Sequence, residues 1–509
     1  MILVDEKKPT ISIDKVEGPL ILALDIGTSA VKALLFDQMG RAVEGAQWRQ
    51  TFEIHTSTDG ASEVDPDALL EIVCKGIDST LAKAGKSAEK IVAVASCTFV
   101  GNIMGIDQKG KPITRLMTYA DTRAEKEVAW LKSEFDETAV HDRTGCHFHS
   151  SYLPARFRWL AEIQPDLLRK ADRWLSFGEY ILLKLFGETS ASYCVASWSG
   201  LFDRHQLMWD EPLLSKLPIK VTQLSPLVDI NSPKQGLRSE FASRWPVLGN
   251  VPWFPAIGDG AAANIGSGCT TASRVALTMG YTTAIRAVVD ETIEKVPYGL
   301  WCYRVDGHRS LPGGALSEGG NLFAWMKDTL HLGDPLKLGS QLAVLKPDGH
   351  GLTVLPFVAG ERSPGWQGHA RAAIDGISLA TTPLELLRAG MEAVAYRIAL
   401  VFDKLSELLP KDLRVVAGGG ALRNSPAWLQ IITDVLDRTV VLTPFEEASA
   451  RGAALLAFEA LELIKDLNEI PVIVENSYHP DSKRHEIYRG ALKRQKRLYE
   501  KLVKDNGES

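Results

Sequence analysis

The chain has 509 residues, too many for one hydrophobic core, so two domains of about 200–250 residues are expected. Its 45% hydrophobic and 24% charged residues are those of an ordinary globular protein, and a net charge of −6 offers no overall electrostatic footprint for nucleic acid. No window approaches the ~18 uninterrupted apolar residues of a membrane span, residues 1–18 hold no signal-peptide core, and the six scattered cysteines form neither a C-x-x-C pair nor a zinc pattern, which suits reduced thiols in a cytoplasmic protein.

Residues 1–18 read as a short leader. Two apolar runs between Leu20 and Asp37 flank Gly27-Thr28-Ser29 and predict a tight hairpin whose first strand ends at Asp25. Gly27 lets a ligand approach the backbone, Thr28 and Ser29 add donors, and Asp25 aims a carboxylate at the same spot, a combination that suits a phosphate with its metal ion. A plain hairpin is the competing reading of these residues taken alone.

Arg41 to Ile54 is expected to add a third strand, and Pro66 to open a helix with the apolar stripe Leu69, Leu70, Val73, Ile77 and Leu81. Lys90 to Ala95 predicts a buried strand running into Ser96-Cys97-Thr98-Phe99, the edge where an open α/β sheet presents ligand contacts. Asp121 and Arg123, just before a helix, suit either a polyol or carboxylate grip or a helix cap with a solvent-facing Arg. Helices are predicted from Tyr152 to Ile163 and from Gly178 to Phe186, with Trp159, Trp174, Trp198 and Trp209 as core or domain-packing residues. Asp259 stands between Gly258 and Gly260 ahead of an Ala-rich helix, either as an unobstructed carboxylate at a helix N-terminus or as an N-cap.

The second half repeats the plan. Gly280 to Val289 aligns without a gap on Ile26 to Leu35, Thr282 falling opposite Thr28 and Arg286 opposite Lys32, so two similar domains are expected to face each other across a cleft. Arg274 to Met279 and Ala284 to Val289 predict its hairpin, Leu300 to Val305 its third strand, and Gly313-Gly314 with Gly319-Gly320 a flexible passage into a helix. Leu352 to Val358 is expected to be a strand leading into a lid or subunit-contact loop, Glu361 to Trp366. Pro383 to Leu409 reads as a long helix, and Leu413 to Ala417 as a strand entering Gly418-Gly419-Gly420, where the backbone can meet a nucleobase, ribose or phosphate. No P-loop is present, an Ala-rich helix closes the domain near Ile464, and Arg489 to Lys504 reads as a basic, solvated helix.

With these motifs in order, the chain resembles the FGGY family of carbohydrate kinases in the actin-like ATPase superfamily over nearly its whole length. Asp25-Ile-Gly27-Thr28-Ser29 with Lys32 is similar to its first phosphate motif and Ile257-Gly258-Asp259-Gly260 to the segment of its catalytic aspartate. Residues 417–430 resemble its adenosine motif, and Ala372 through Ile377 with Glu385, Leu386, Ala389 and Glu392 its C-terminal signature. The resemblance implies an α/β fold of two ribonuclease-H-like domains, residues 19–267 holding the sugar and residues 268–466 the ATP, followed by a helical tail at 467–509. It implies Asp259 as the catalytic base, also touching substrate, and Asp25 with Asp259 at Mg²⁺ through water. Gly27, Thr28, Ser29, Lys32, Gly280, Thr282, Gly419, Gly420 and Asn424 fall to ATP, and Thr98, Asp121 and Arg123 to the substrate.

Tyr281 departs from the family's second phosphate loop, where Gly-Thr-Ser is usual, and Gly390 replaces a larger residue in the signature. The Met-His or Gln-His pair of xylulose kinases is missing after Thr98, whereas the texts around Thr98, Asp121, Ser317 and Arg362 look most like the gluconate-kinase branch. The expected partners are therefore ATP and a small sugar or sugar acid, D-gluconate first, with Arg123 suited to its carboxylate. Another polyol or a xylulose-like ketose, and a weakly active sugar-binding regulator, are the alternatives. No nucleic acid or membrane partner is expected, and a homodimer is left open.

Overall fold

The computed structural model describes residues 8–334, 337–470 and 472–504. The first seven residues of the expected leader lie outside these, but Thr10–Ser12 pairs in parallel with Ala42–Glu44 and so joins the first sheet.

That sheet is built on the expected hairpin, Leu20–Ile26 against Ala30–Phe36. Both strands are almost wholly buried, which is why they read as continuous apolar runs rather than alternating ones. Ile91–Thr98 adds in parallel to Leu20–Ile26, and Ile257–Gly258 in parallel to Ile91–Thr98. The expected third strand is split at Gly45, which has φ +81°, into Ala42–Glu44 and Trp48–Thr51. Helix Pro66–Ala84 begins as read, Asp65 accepting from Ala68 N at 2.9 Å, and buries Leu69, Val73 and Ile77.

The second sheet repeats this topology. Arg274–Met279 and Thr283–Ala287 form its hairpin, and Arg414–Gly418 then Val440–Leu442 add in parallel. One expectation fails here. Ser310–Leu316, not Leu300 to Val305, pairs with the hairpin, and Trp301–Arg304 lies outside it at the sheet edge. Gly313 and Gly314 are thus mid-strand rather than a flexible passage. A Cβ on Gly313 would lie 2.4 Å from Ile285 O of the neighbouring strand, and one on Gly314 2.5 Å from Val401 Cγ1 of the helix packed on the sheet, so both are glycine because these neighbours come that close.

The two halves meet along helices Asp259–Gly266 and Ala448–Ala460 and along an aromatic seam. In the seam Trp198 stacks on Tyr303 at 3.7 Å, and Tyr152 and Tyr303 share a hydroxyl hydrogen bond of 2.5 Å. Trp174 is core, so the tryptophans divide between core and domain packing. Loop 360–366 is no free lid: Glu361, Ser363 and Trp366 are buried, and Trp366 packs on His147 and Tyr152 of the first half. Helix Ser482–Tyr499 is not merely solvated either, since Tyr488, Ala491, Gln495 and Tyr499 are buried against the second half. Among the described residues no helix is long and apolar enough to cross a membrane, and all six cysteines are buried and free.

Candidate active site

The parallel register carries three sequence-flagged residues to one sheet edge. Asp25 pairs with Cys97, Ile26 with Thr98, and Gly258 with Thr98, so Asp25, Thr98 and Asp259 leave neighbouring strands at the same end. Asp25 is the one charged residue in its strand. It accepts from Cys97 Sγ at 3.4 Å and lies 3.5 Å from Lys32 Nζ. Burial raises its pKa above the ordinary carboxylate value, the Lys32 charge opposing and Glu447 adding to the rise. Lys32 also bonds Glu447 of the second half at 2.5 Å. Burial works against the lysine's charge, but the two acids outweigh it and hold its pKa above normal. Its ammonium is therefore shared between two carboxylates.

Asp259 is the first residue of its helix, not the N-cap, a position filled by Gly258. Its Oδ1 accepts from Gly260 N at 2.7 Å. Burial first, then the charge of Asp25, raise its pKa to about 6, while Arg286 pulls the other way. Arg286 donates from Nη1 to Gly260 O at 3.0 Å, reaching from the second half to the helix turn that carries Asp259. The flanking glycines serve packing: a Cβ on Gly258 would come within 2.9 Å of Trp198 Nε1 and Val100 Cγ1, and one on Gly260 within 3.1 Å of the Trp198 ring.

The residues expected to grip the substrate are paired within the first domain. Arg123 Nη2 bonds Asp121 at 2.6 Å and also Glu63, and its guanidinium lies 4.6 Å over the Trp159 ring. Asp121 additionally accepts from Ser62 N at 3.2 Å and is buried. Each group thus has the other as its main partner. Thr98 is fully buried, its Oγ1 without a partner among the described residues, and presents no surface to a substrate.

The second turn differs from the first in length. Ile26 pairs with Val31 but Met279 with Thr283, so the turns are residues 27–30 and 280–282, and the ungapped alignment does not survive as register. Gly280 N donates to Thr282 O at 3.0 Å, and the Tyr281 side chain stands 78% exposed, away from the packed interior. Gly419, with φ +94°, passes directly over this strand end, where a Cβ would lie 2.3 Å from Met279 O. Gly320 N bonds Gly280 O at 2.9 Å. Gly280, Gly320 and Gly419 thus form one shelf of bare backbone, with Asn424 exposed beyond it. Glu447, Arg286, Tyr119 and Arg362 were not singled out from sequence. Arg286 carried a signal as the basic residue aligned with Lys32, and Tyr119 and Arg362 lay in segments whose text resembles the gluconate-kinase branch.

Two domains built on the same hairpin-and-parallel-strand plan, with paired acids where they join, define a phosphotransferase fold of the actin-like class. The comparisons with known proteins agree. Residues 20–266 match the N-terminal domain, and residues 300–461 the C-terminal domain, of the FGGY family of carbohydrate kinases. A gluconokinase of Bacillus subtilis (strain 168) is 26% identical over 470 residues, 90% of this chain and 91% of its own. The crystal structure of gluconate kinase from Lactobacillus acidophilus superposes with a TM-score of 0.88 at 25% identity, covering 97% of this chain and 100% of that one. A ligand-bound xylulose kinase from the same organism gives 0.88 at 24%, covering 96% and 99%. The chain belongs to the FGGY family of carbohydrate kinases and is a phosphotransferase with an alcohol group as acceptor.

Proposed function

We propose that the protein uses Mg·ATP to phosphorylate a terminal hydroxyl of a sugar acid, D-gluconate to 6-phosphogluconate. The observation that carries this reading is the convergence of Asp25 and Asp259 at one end of neighbouring parallel strands, and the likeness to gluconokinases supports the choice of acid. Asp259 accepts the proton as the substrate oxygen bonds to the γ-phosphorus and the bond from that phosphorus to the β–γ bridging oxygen breaks. The raised pKa of about 6 suits a base that must both take and release a proton near neutrality.

Asp25 and Asp259 are two oxygen donors raised by burial, Asp259 also by the charge of Asp25, a setting that a hard dication relieves. They would hold Mg²⁺ through water, and the ion when bound neutralises phosphate charge. Thr28, Ser29 and Thr282 donate to phosphate oxygens, Gly27 and Gly280 let the backbone approach, and Gly419, Gly420 and Asn424 line the adenosine site. Lys32 acts mainly by steadying Asp25.

Asp259→Asn keeps size and the Gly260 contact but removes the base, so turnover is expected to vanish while ATP binding, read by calorimetry, persists. Wild-type turnover of gluconate in that variant would overturn the assignment. A neutral xylulose-like ketose is the competing substrate, and a non-catalytic regulator the competing role. A polyol and aldonate panel at saturating Mg·ATP, scored by ADP release, separates all three.

A further inference from the structure

We propose that the bare edge of strand Ala373–Asp375 pairs, antiparallel and about Ala373, with the same strand of a second copy of this chain.

This strand forms a two-stranded sheet with Thr353–Leu355, Val354 facing Ile374. The outer edge of Thr353–Leu355 is covered, since Val354 O accepts from Gln495 Nε2 of helix Ser482–Tyr499 at 2.9 Å. In an antiparallel pair each residue turns its N–H and C=O to the same side, and two facing residues both turn inward or both outward. Val354 turns outward to the helix, so Ile374 turns its N–H and C=O to the opposite edge. Among the described residues no strand pairs with that edge.

The surface beside it is apolar. Ile374, Ile377 and Leu379 are exposed, Leu379 wholly so. They stand on a fixed turn: Ser378 N donates to Thr381 Oγ1 at 3.0 Å, Thr381 N to Ser378 O at 3.1 Å, and Thr382 with Glu385 forms a capping box on helix Pro383–Ser406. A fixed apolar turn beside an unpaired strand edge is a surface that folded chains ordinarily cover.

The charges on the strand say what covers it. Arg371 and Asp375 are exposed and lie two residues either side of Ala373. The Arg371 guanidinium bonds only carbonyls, Gly368 O at 3.2 Å and Ala370 O at 2.9 Å, and among the described residues neither Arg371 nor Asp375 has an ion-pair partner. Pairing about Ala373 sets Arg371 of each copy opposite Asp375 of the other, while Ala372 and Ile374 exchange backbone hydrogen bonds across the edge. Pairing about Ile374 would instead set Arg371 against Ile377 and Asp375 against Ala373, so the charges select the register. The same patch meets itself about a two-fold axis, which closes the assembly at two copies.

Sedimentation velocity of the full chain at micromolar concentration tests this, with melting temperature as the check on folding. Wild type is expected to be a dimer. Asp375→Arg sets like charges opposite each other twice, and Leu379→Glu charges a side chain wholly exposed in the single chain. Each is expected to weaken association by about tenfold or more. Arg371→Asp combined with Asp375→Arg reverses both charges and is expected to restore the dimer. A monomeric wild type overturns the proposal in favour of a different partner for this edge. A dimer undiminished in both single variants places the contact elsewhere and overturns it as well. A doubly reversed variant no tighter than Asp375→Arg overturns the pairing about Ala373. If Asp375→Arg does not fold, Leu379→Glu decides: an undiminished dimer counts against the proposal.

Discussion

Asp259 sets the pH behaviour expected of the enzyme. A base works only when ionised, so kcat/KM should fall as pH drops through about 6, the value to which burial and Asp25 raise its carboxyl. Arg286 lowers that pKa, so Arg286→Gln should move the acid limb to higher pH, and a pH–rate profile reads the shift directly. A purely structural role for Arg286 would scale the whole profile without moving its limb. The same burial bears on stability. A carboxyl whose folded pKa exceeds its unfolded value weakens the fold as pH rises between the two, so Asp259→Asn should melt higher than wild type at pH 8. Aspartate flanked by glycines was legible in the sequence, and Arg286 was legible as the residue aligned with Lys32, but its reach to the helix turn that carries Asp259 was not, because that contact joins two domains.

The crossing of helices Asp259–Gly266 and Ala448–Ala460 joins the halves through glycine. A Cβ on Gly266 would lie 1.8 Å from Ala448 O, and one on Gly452 1.8 Å from Ala262 O, so the backbones touch with no room for a methyl group. Gly452→Ala should cost about 3 kcal/mol or more in denaturant unfolding, because overpacking here must push two helices apart. Helix Pro66–Ala84 shows the opposite case. Its Pro at the first turn and its apolar spacing are local signals, and both were readable in order. Gly313 and Gly314 were misread as a passage for the same reason in reverse, since a glycine demanded by close layers looks in sequence like one demanded by flexibility.

Across the whole molecule, the C-terminal helix Ser482–Tyr499 anchors strand Thr353–Leu355 and loop 360–366. Gln495 Nε2 bonds Val354 O at 2.9 Å, and Tyr499 donates to Glu361 beside Arg362. Tyr499→Phe removes a hydrogen bond to a buried carboxylate, so it should cost about 1–3 kcal/mol of stability. Denaturant unfolding of the variant beside wild type reads the loss. The basic composition of this helix suggested a solvated face, and its exposed side is one. Its tyrosines and Gln495 sit on the other side, where their polar atoms find partners only in the folded chain.

By itself the sequence determined the two hairpins, the parallel strands after them, the acids at their ends and the family, because strand periodicity, turn chemistry and helix caps are short-range properties of neighbouring residues. Only the tertiary structure decided which cations are free. Lys32 is paired with Glu447, and Arg123 with Glu63 as well as its near neighbour Asp121, since most of these pairings depend on side chains that meet across tens or hundreds of residues.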